Sequence, residues 1–250
     1  MADRAHDALL IKGLRGHCGS NAEAGRRSGG RCRAFPGGGH RRPRKKMLDA
    51  EIYERMLGTA ATVAEPLQAA IAAIGPIEIA PPAHASLAER LFVEVVNQQL
   101  STKAALSIWT RIEAAAAAQD GTPRDLFIPG TEVLLRSCGV SANKVRALHA
   151  IREAEEAGLL GPELATLLHA ERSAVLCRIR GVGPWTADMA GIFHFLDPDI
   201  WPVGDVAAVG VLRRLAGIED TVAVAAQFAP YRSILARYMW RSRDAAPVAA

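Results

Sequence analysis

The chain has 250 residues, half of them apolar, enough to bury a sizeable core in one large domain or two small ones. No apolar run approaches the roughly 20 residues that span a bilayer, and no compact apolar segment with a small-residue cleavage site opens the chain, so a cytoplasmic protein is expected, with no membrane partner. The net charge of +4 suits a nucleic-acid binder, but residues 1–46 carry 12 Lys/Arg against 3 Asp/Glu and residues 47–250 carry 18 against 23, so affinity for DNA in the remainder must come from a local basic surface or backbone amides.

Residues 1–46, ending GRRSGGRCRAFPGGGHRRPRKK, show neither a helical nor a strand period, and such a segment cannot bury enough surface to offset its ordering entropy. Two readings stand: a basic arm that binds DNA without sequence preference, or a true start at Met47. The second is favoured because MLDAEIYERMLGTAATVAEPLQAAIAAIG opens the first helical period at that methionine. The domain is accordingly drawn over residues 47–250.

From Met47 onward the spacing predicts helices at 48–58, 62–74, 85–98, 102–118, 130–137, 142–156, 171–178, 184–194, 205–215, 221–227 and 230–242, with no strand ladder. Ser101 is a predicted N-cap, and Ala104, Ala105, Ile108 and Ile112 form one apolar stripe behind it. Trp109 lies just off that stripe and reads as core. Ser141 caps the next strong pattern, with Val145, Leu148 and Ile151 on one face. Cys18, Cys32, Cys138 and Cys177 are too scattered for zinc spacings or a disulfide framework and read as reduced thiols. The seven histidines show no metal-ligand pairing, and His149, His169 and His194 read as ordinary helix residues.

AVLCRIRGVGPWTADMAGIF reads as a helix, a tight turn at Gly181, Val182 and Gly183, and a second helix opened by Pro184. Proline suits a first helical position because its missing N–H would have had no partner there, and glycines permit backbone shapes that a Cβ forbids. Such a turn presents amides beside a helix N-terminus, which suits one DNA phosphate; a plain connection between helices fits the same residues. Asp205, in VGDVAAV, fits a helix N-cap as well as a catalytic carboxylate.

The segment LCRIRGVGPWTADMA resembles the helix-hairpin-helix of the DNA glycosylase superfamily, and WPVGDVAAVGVLRRL resembles the loop and helix after it, with Asp205 at the family's catalytic position 20 residues beyond Trp185. VNQQLSTKAALSIWTRI, LRSCGVSANKVRALHAI and APYRSILARYMW are similar to further segments in the same order, so the likeness covers most of residues 85–242. It implies an all-α, two-lobed fold with the active-site cleft between the lobes. Trp185 stands where bifunctional members carry the lysine that forms a Schiff base, so the likeness points to an enzyme without lyase activity. With no cysteine after Cys177, no iron–sulfur cluster is expected. What remains is similar to the alkylpurine branch, the 3-methyladenine DNA glycosylase II type.

That resemblance implies roles residue by residue. Trp185 and Trp240 would face a cationic alkylated base, and Asp205 would stabilise the oxocarbenium-like sugar and orient or deprotonate water. Gln99, where some relatives carry leucine, would be the wedge that fills the gap left by the extruded nucleotide, with Gln98 supporting its loop. Gly181, Val182, Gly183 and Thr186 would form the phosphate-binding hairpin, with the amides of Gly181 and Gly183 donating. Backbone carbonyls of Cys177, Ile179 and Val182 would hold a structural Na+ or K+; no other cofactor is required. The partner would be duplex DNA containing alkylated bases, met by a monomer. Two departures bear on DNA affinity and pocket shape: no basic residue follows Asp205 closely, and Phe228 stands where relatives commonly carry tryptophan. The alternatives are the same fold acting on deaminated or oxidised bases, and a non-catalytic module that binds damaged DNA.

Overall fold

The structure, a computed structural model, describes residues 46–245. The basic arm expected over 1–46 therefore lies, but for Lys46, outside the described residues. The described residues open on a short antiparallel pairing, where the sequence predicts no strand. β1 (Lys46–Met47) lies against β2 (Glu78–Ile79), with Lys46 opposite Ile79 and Met47 opposite Glu78. Its cause is local burial. Leu48 and Ile77 are both packed into the core, and the Leu48 amide donates to the Ile77 carbonyl at 2.8 Å, which lays the two segments side by side.

Between these strands run α1 (Ala50–Val63), started by Asp49 accepting from the Glu51 amide, and α2 (Glu65–Ile74). The expected break near Gly58 falls instead at Ala64, whose φ of −165° is extended. Pro66 explains the shift, since a proline two positions further on cannot continue a helix through its own missing N–H and ring clash. Gly58 stays inside α1.

The first lobe follows without interruption. It comprises α3 (Leu87–Asn97), α4 (Thr102–Ala117), α5 (Glu132–Ser137), α6 (Ala142–Glu156), α7 (His169–Leu176) and α8 (Pro184–Ala190). Ser86, Ser101 and Ser141 each accept from a backbone amide three residues on, which satisfies one orphan donor at the start of α3, α4 and α6. α3 is buried on all sides and forms the axis of this lobe, its Leu91, Phe92 and Val95 sharing one core with Ile112, Leu135 and Leu148 of the surrounding helices. Trp109 is 2% exposed and packs edge-on against Phe127, which places it in the core as expected. Val145, Leu148 and Ile151 are all buried.

The second lobe is discontinuous in sequence. It joins α1 and α2 to α9 (Val206–Ala216), α10 (Thr221–Ala226) and α11 (Arg232–Ala245) around Met56, Leu67, Ile71, Leu212, Leu235 and Tyr238. Phe228 is buried in this core and does not line the cleft, so that departure acts through packing. A small third cluster of Met189, Ile192, Phe193 and Ile200, with Trp185 and Trp240 packed on it, joins the lobes. The helix expected to reach 194 ends at Ala190 and continues as one wider π turn, Gly191–Phe195, which hands the chain from one lobe to the other.

Candidate active site

A cleft of about 910 Å3 opens between the lobes. One wall is the loop from Asn97 to Leu100, a second is the hairpin before α8, and the third is the start of α9 with the end of α11. The sequence had placed Gln98, Gln99, Gly181, Trp185, Asp205 and Trp240 at one site; all of them line this cleft.

At its centre, the carboxylate of Asp205 accepts three hydrogen bonds. The Trp185 indole N–H donates to Oδ2 at 3.0 Å, the Trp240 indole N–H donates to Oδ1 at 3.0 Å, and the Ala208 amide donates to Oδ1 at 2.7 Å. Asp205 is the N-cap of α9, as the sequence allows, and its carboxylate also faces the cavity. The positive end of the α9 dipole adds to the field at the carboxylate. Each donor comes from a different element, so the two oxygens are fixed from α8, α9 and α11 at once. Trp240 is held in turn by Phe193, whose ring stacks on it with centroids 5.5 Å apart and planes 23° from parallel. Phe193 was not singled out from the sequence, since only the wider π turn brings it under Trp240. Arg243, one turn beyond Trp240, also lines the cleft, and that i, i+3 spacing was a readable signal.

The hairpin shows why its first glycine is a glycine. Gly181 has φ +84°, and a Cβ built there would lie 2.3 Å from the Cβ of Ala147 on α6. Gly183 differs: its φ is −104° and a Cβ would meet nothing within 4 Å, so no protein contact requires a glycine there. The amides of Gly181 and Gly183 donate to no acceptor among the described residues. Exposed Arg178 and Arg180 flank the turn, and exposed Lys103 follows the cleft residue Thr102, which supplies local positive charge on an acidic fold. Thr186 is only 1% exposed and its hydroxyl accepts from the Gln98 side chain at 3.0 Å, so it is turned inward and braces the loop instead of reaching toward a phosphate. Gln98 also donates to the Gly181 carbonyl at 3.1 Å, the supporting position expected of it.

Gln99 is exposed at the cleft rim with φ +56°. The carbonyls of Cys177 and Val182 accept from no donor among the described residues, and that of Ile179 accepts only from the Val182 amide, so all three retain lone pairs for a cation. The histidines divide. His149 lies 3.8 Å from Glu132 on its own lobe's surface, whereas His169, expected to be ordinary, sits 2.8 Å from Asp188 and ties the start of α7 to α8. Burial, with Arg90 and Arg172 nearby, holds the His194 imidazole below its usual range. Cys138 is a buried free thiol and Cys177 an exposed one.

No known family model matches the chain. Individual proteins do. DNA-3-methyladenine glycosylase 1 of Schizosaccharomyces pombe is 32% identical over 163 residues, which is 62% of this chain and 71% of that protein. Among solved structures, the 3-methyladenine DNA glycosylase Mag1 of S. pombe in complex with abasic DNA superposes with a TM-score of 0.67 at 25% identity, over 77% of this chain and 96% of that one. A DNA-3-methyladenine glycosidase of Bacillus halodurans gives 0.64 at 26% identity, over 80% and 93%. Two helical lobes, a hairpin and an aspartate facing the cleft between them define the helix-hairpin-helix DNA glycosylase class. Within that class, the chain belongs to the 3-methyladenine DNA glycosylase family.

Proposed function

We propose that the protein is a monofunctional DNA glycosylase that extrudes alkylated purines, of the 3-methyladenine and 7-methylguanine type, and removes them by hydrolysis as the first step of base excision repair. The observation that carries this reading is the pair of tryptophans donating to one aspartate, because it places two aromatic surfaces and one carboxylate on the same few ångströms of cleft.

Alkylation at N3 or N7 makes the purine cationic and weakens its bond to the sugar, so the leaving group needs little protonation. An electron-rich ring in contact with such a base favours it by about 0.5–2 kcal/mol, more when water is excluded. As the bond lengthens, positive charge grows on the sugar. Asp205, already fixed by three donors, meets that charge without having to reorient, which is the main source of such stabilisation. The lone pair left on Oδ2 can orient the attacking water or take its proton. Extrusion costs a few kcal/mol of stacking and pairing. Gln99 offsets this by filling the vacated space and hydrogen-bonding the orphaned base. The Gly181 and Gly183 amides hold one phosphate, and a monovalent cation on the carbonyls of Cys177, Ile179 and Val182 would stiffen the turn around it.

The absence of lyase activity is supported by Trp185, which offers no amine, and by the cleft lining, which contains no lysine among the described residues. Incubation with N-methylated duplex DNA tests the reading. Free 3-methyladenine or 7-methylguanine, identified by mass, should appear with no strand cut before alkali. No release from DNA that a relative depurinates would refute it.

A further inference from the structure

The loop that carries Gln99 leaves the C-terminal end of α3, where a helix has unpaired carbonyls and partial negative charge. One side chain from another helix meets them. Lys144 Nζ donates to the Val96 carbonyl at 2.8 Å and to the Gln98 carbonyl at 2.7 Å. Lys144 sits in the first turn of α6, and its own amide is fixed by the capping Ser141 hydroxyl. The amine is partly buried, and burial lowers its pKa, so holding it there carries a desolvation penalty that the two carbonyls must offset.

The geometry beyond the clamp requires support. Gln99 adopts φ +56°, a left-handed conformation that costs a residue with a Cβ about 1–2 kcal/mol. The Leu100 amide closes the turn by donating to the Asn97 carbonyl at 3.2 Å. On its other side the loop is tied to the hairpin through the Gln98 side chain. The carbonyls flanking Gln99 on its N-terminal side are thus held from α6, and the neighbouring side chain from the hairpin. Gln99 itself is exposed at the cleft rim, with Leu100 exposed beside it.

We propose that Lys144 is a positioning residue for DNA extrusion: its two hydrogen bonds to the end of α3 hold the strained backbone of Gln99 at the angle from which its side chain enters the duplex. The proposal rests on the reading of Gln99 as the wedge of a base-extruding enzyme. Lys144 touches neither the base nor Asp205, so its loss acts on insertion and leaves the pocket in place.

The test uses the full chain as wild type, Lys144→Met and Lys144→Arg. The first readout is binding to a duplex with an abasic-site analogue and 2-aminopurine opposite it, whose fluorescence reports insertion at the gap and needs no chemistry. The second is single-turnover release of 7-methylguanine from duplex and from single-stranded DNA of the same sequence. Lys144→Met is expected to bind the abasic duplex within about three-fold of wild type, to lose most of the fluorescence change, and to lose about ten-fold more release from duplex than from single strands. Lys144→Arg, which keeps two donors, should recover most of both. Equal losses from the two substrates, or an unchanged fluorescence response, would overturn the proposal. If Lys144→Met does not fold, Lys144→Gln, with a shorter donor, is judged by the same ratio. Wild-type protein that changes the fluorescence yet releases no methylated base would defeat the proposed activity while the fluorescence arm still decides the role of Lys144. Wild-type protein that binds without a fluorescence change would remove Gln99 as the wedge, and this proposal with it.

Discussion

At the scale of single residues, Asp205 is held by donors that differ in what a substitution removes. Asparagine keeps an oxygen for the Ala208 amide, so the cap on α9 survives; Asn and Asp are near-equal caps. The charge is lost, and the new amide group must face one of the two indole N–H donors. Asp205→Asn is therefore expected to change Tm little, keep affinity for abasic DNA, and reduce excision at least about 100-fold. A comparable loss of binding would show that the aspartate organises the DNA surface and not the reaction. Trp240→Phe separates the two uses of that indole. Phenylalanine retains an aromatic face and its stack on Phe193 but has no N–H, and a hydrogen bond to a charged group is worth about 1.5–3 kcal/mol. The expected result is a fall in kcat of about ten-fold or more with a smaller change in KM; a change confined to KM would make Trp240 a wall only. The residue types were legible in the sequence at 185, 205 and 240. Their shared hydrogen bonds were not, because donors 20 before and 35 after Asp205 meet it only through tertiary placement.

At the scale of elements, the signals that could be read are those whose partners lie within a turn. The serine caps at 101 and 141 and the Gly-Pro opening of α8 all stand where the pattern put them. What escaped depends on distant partners: β1 and β2 pair because Leu48 and Ile77 are buried together, and Lys144 answers to carbonyls, which leave no mark on a sequence. The two hairpin glycines look alike as letters and differ in space. Gly181→Ala must adopt φ +84° against the Ala147 methyl, costing about 1–2 kcal/mol in conformation and about 1–3 kcal/mol in overpacking. Tm should fall by several degrees, with weaker binding to DNA. Gly183→Ala should leave Tm nearly unchanged, because space there is open, and should weaken DNA binding through crowding of the phosphate approach. Equal Tm losses for both variants would contradict the steric distinction.

At the scale of the whole molecule, two lobes with separate cores are joined by two crossing segments, and each brings a histidine into the junction. His84, 5% exposed in the connection from β2 to α3, has no protein partner on either ring nitrogen among the described residues. Burial first, then the charges of Arg90 and His194, lower its pKa from 6.5 to about 4. Phe193, under Trp240, is faced by Arg90 and Arg237, each 4.6 Å from its ring, so the same junction supports the cleft. The sign of the linkage follows from a depressed folded-state pKa: the folded protein binds fewer protons, so the stability held above pH 6.5 is lost as pH falls toward 4. For one group of this burial the loss is on the order of 3 kcal/mol. Asp199, lowered by its hydrogen bonds to Arg232, gives up its share only below its ordinary value of 3.8 and so stays outside that window. Urea unfolding of wild type and His84→Leu at pH 7, 6, 5 and 4.5 makes the comparison. The wild type should lose stability steadily over this range and the variant should lose clearly less, the remaining slope belonging to His194, whose imidazole is also held below its usual range. Parallel slopes would show that His84 is not the group that takes up the proton.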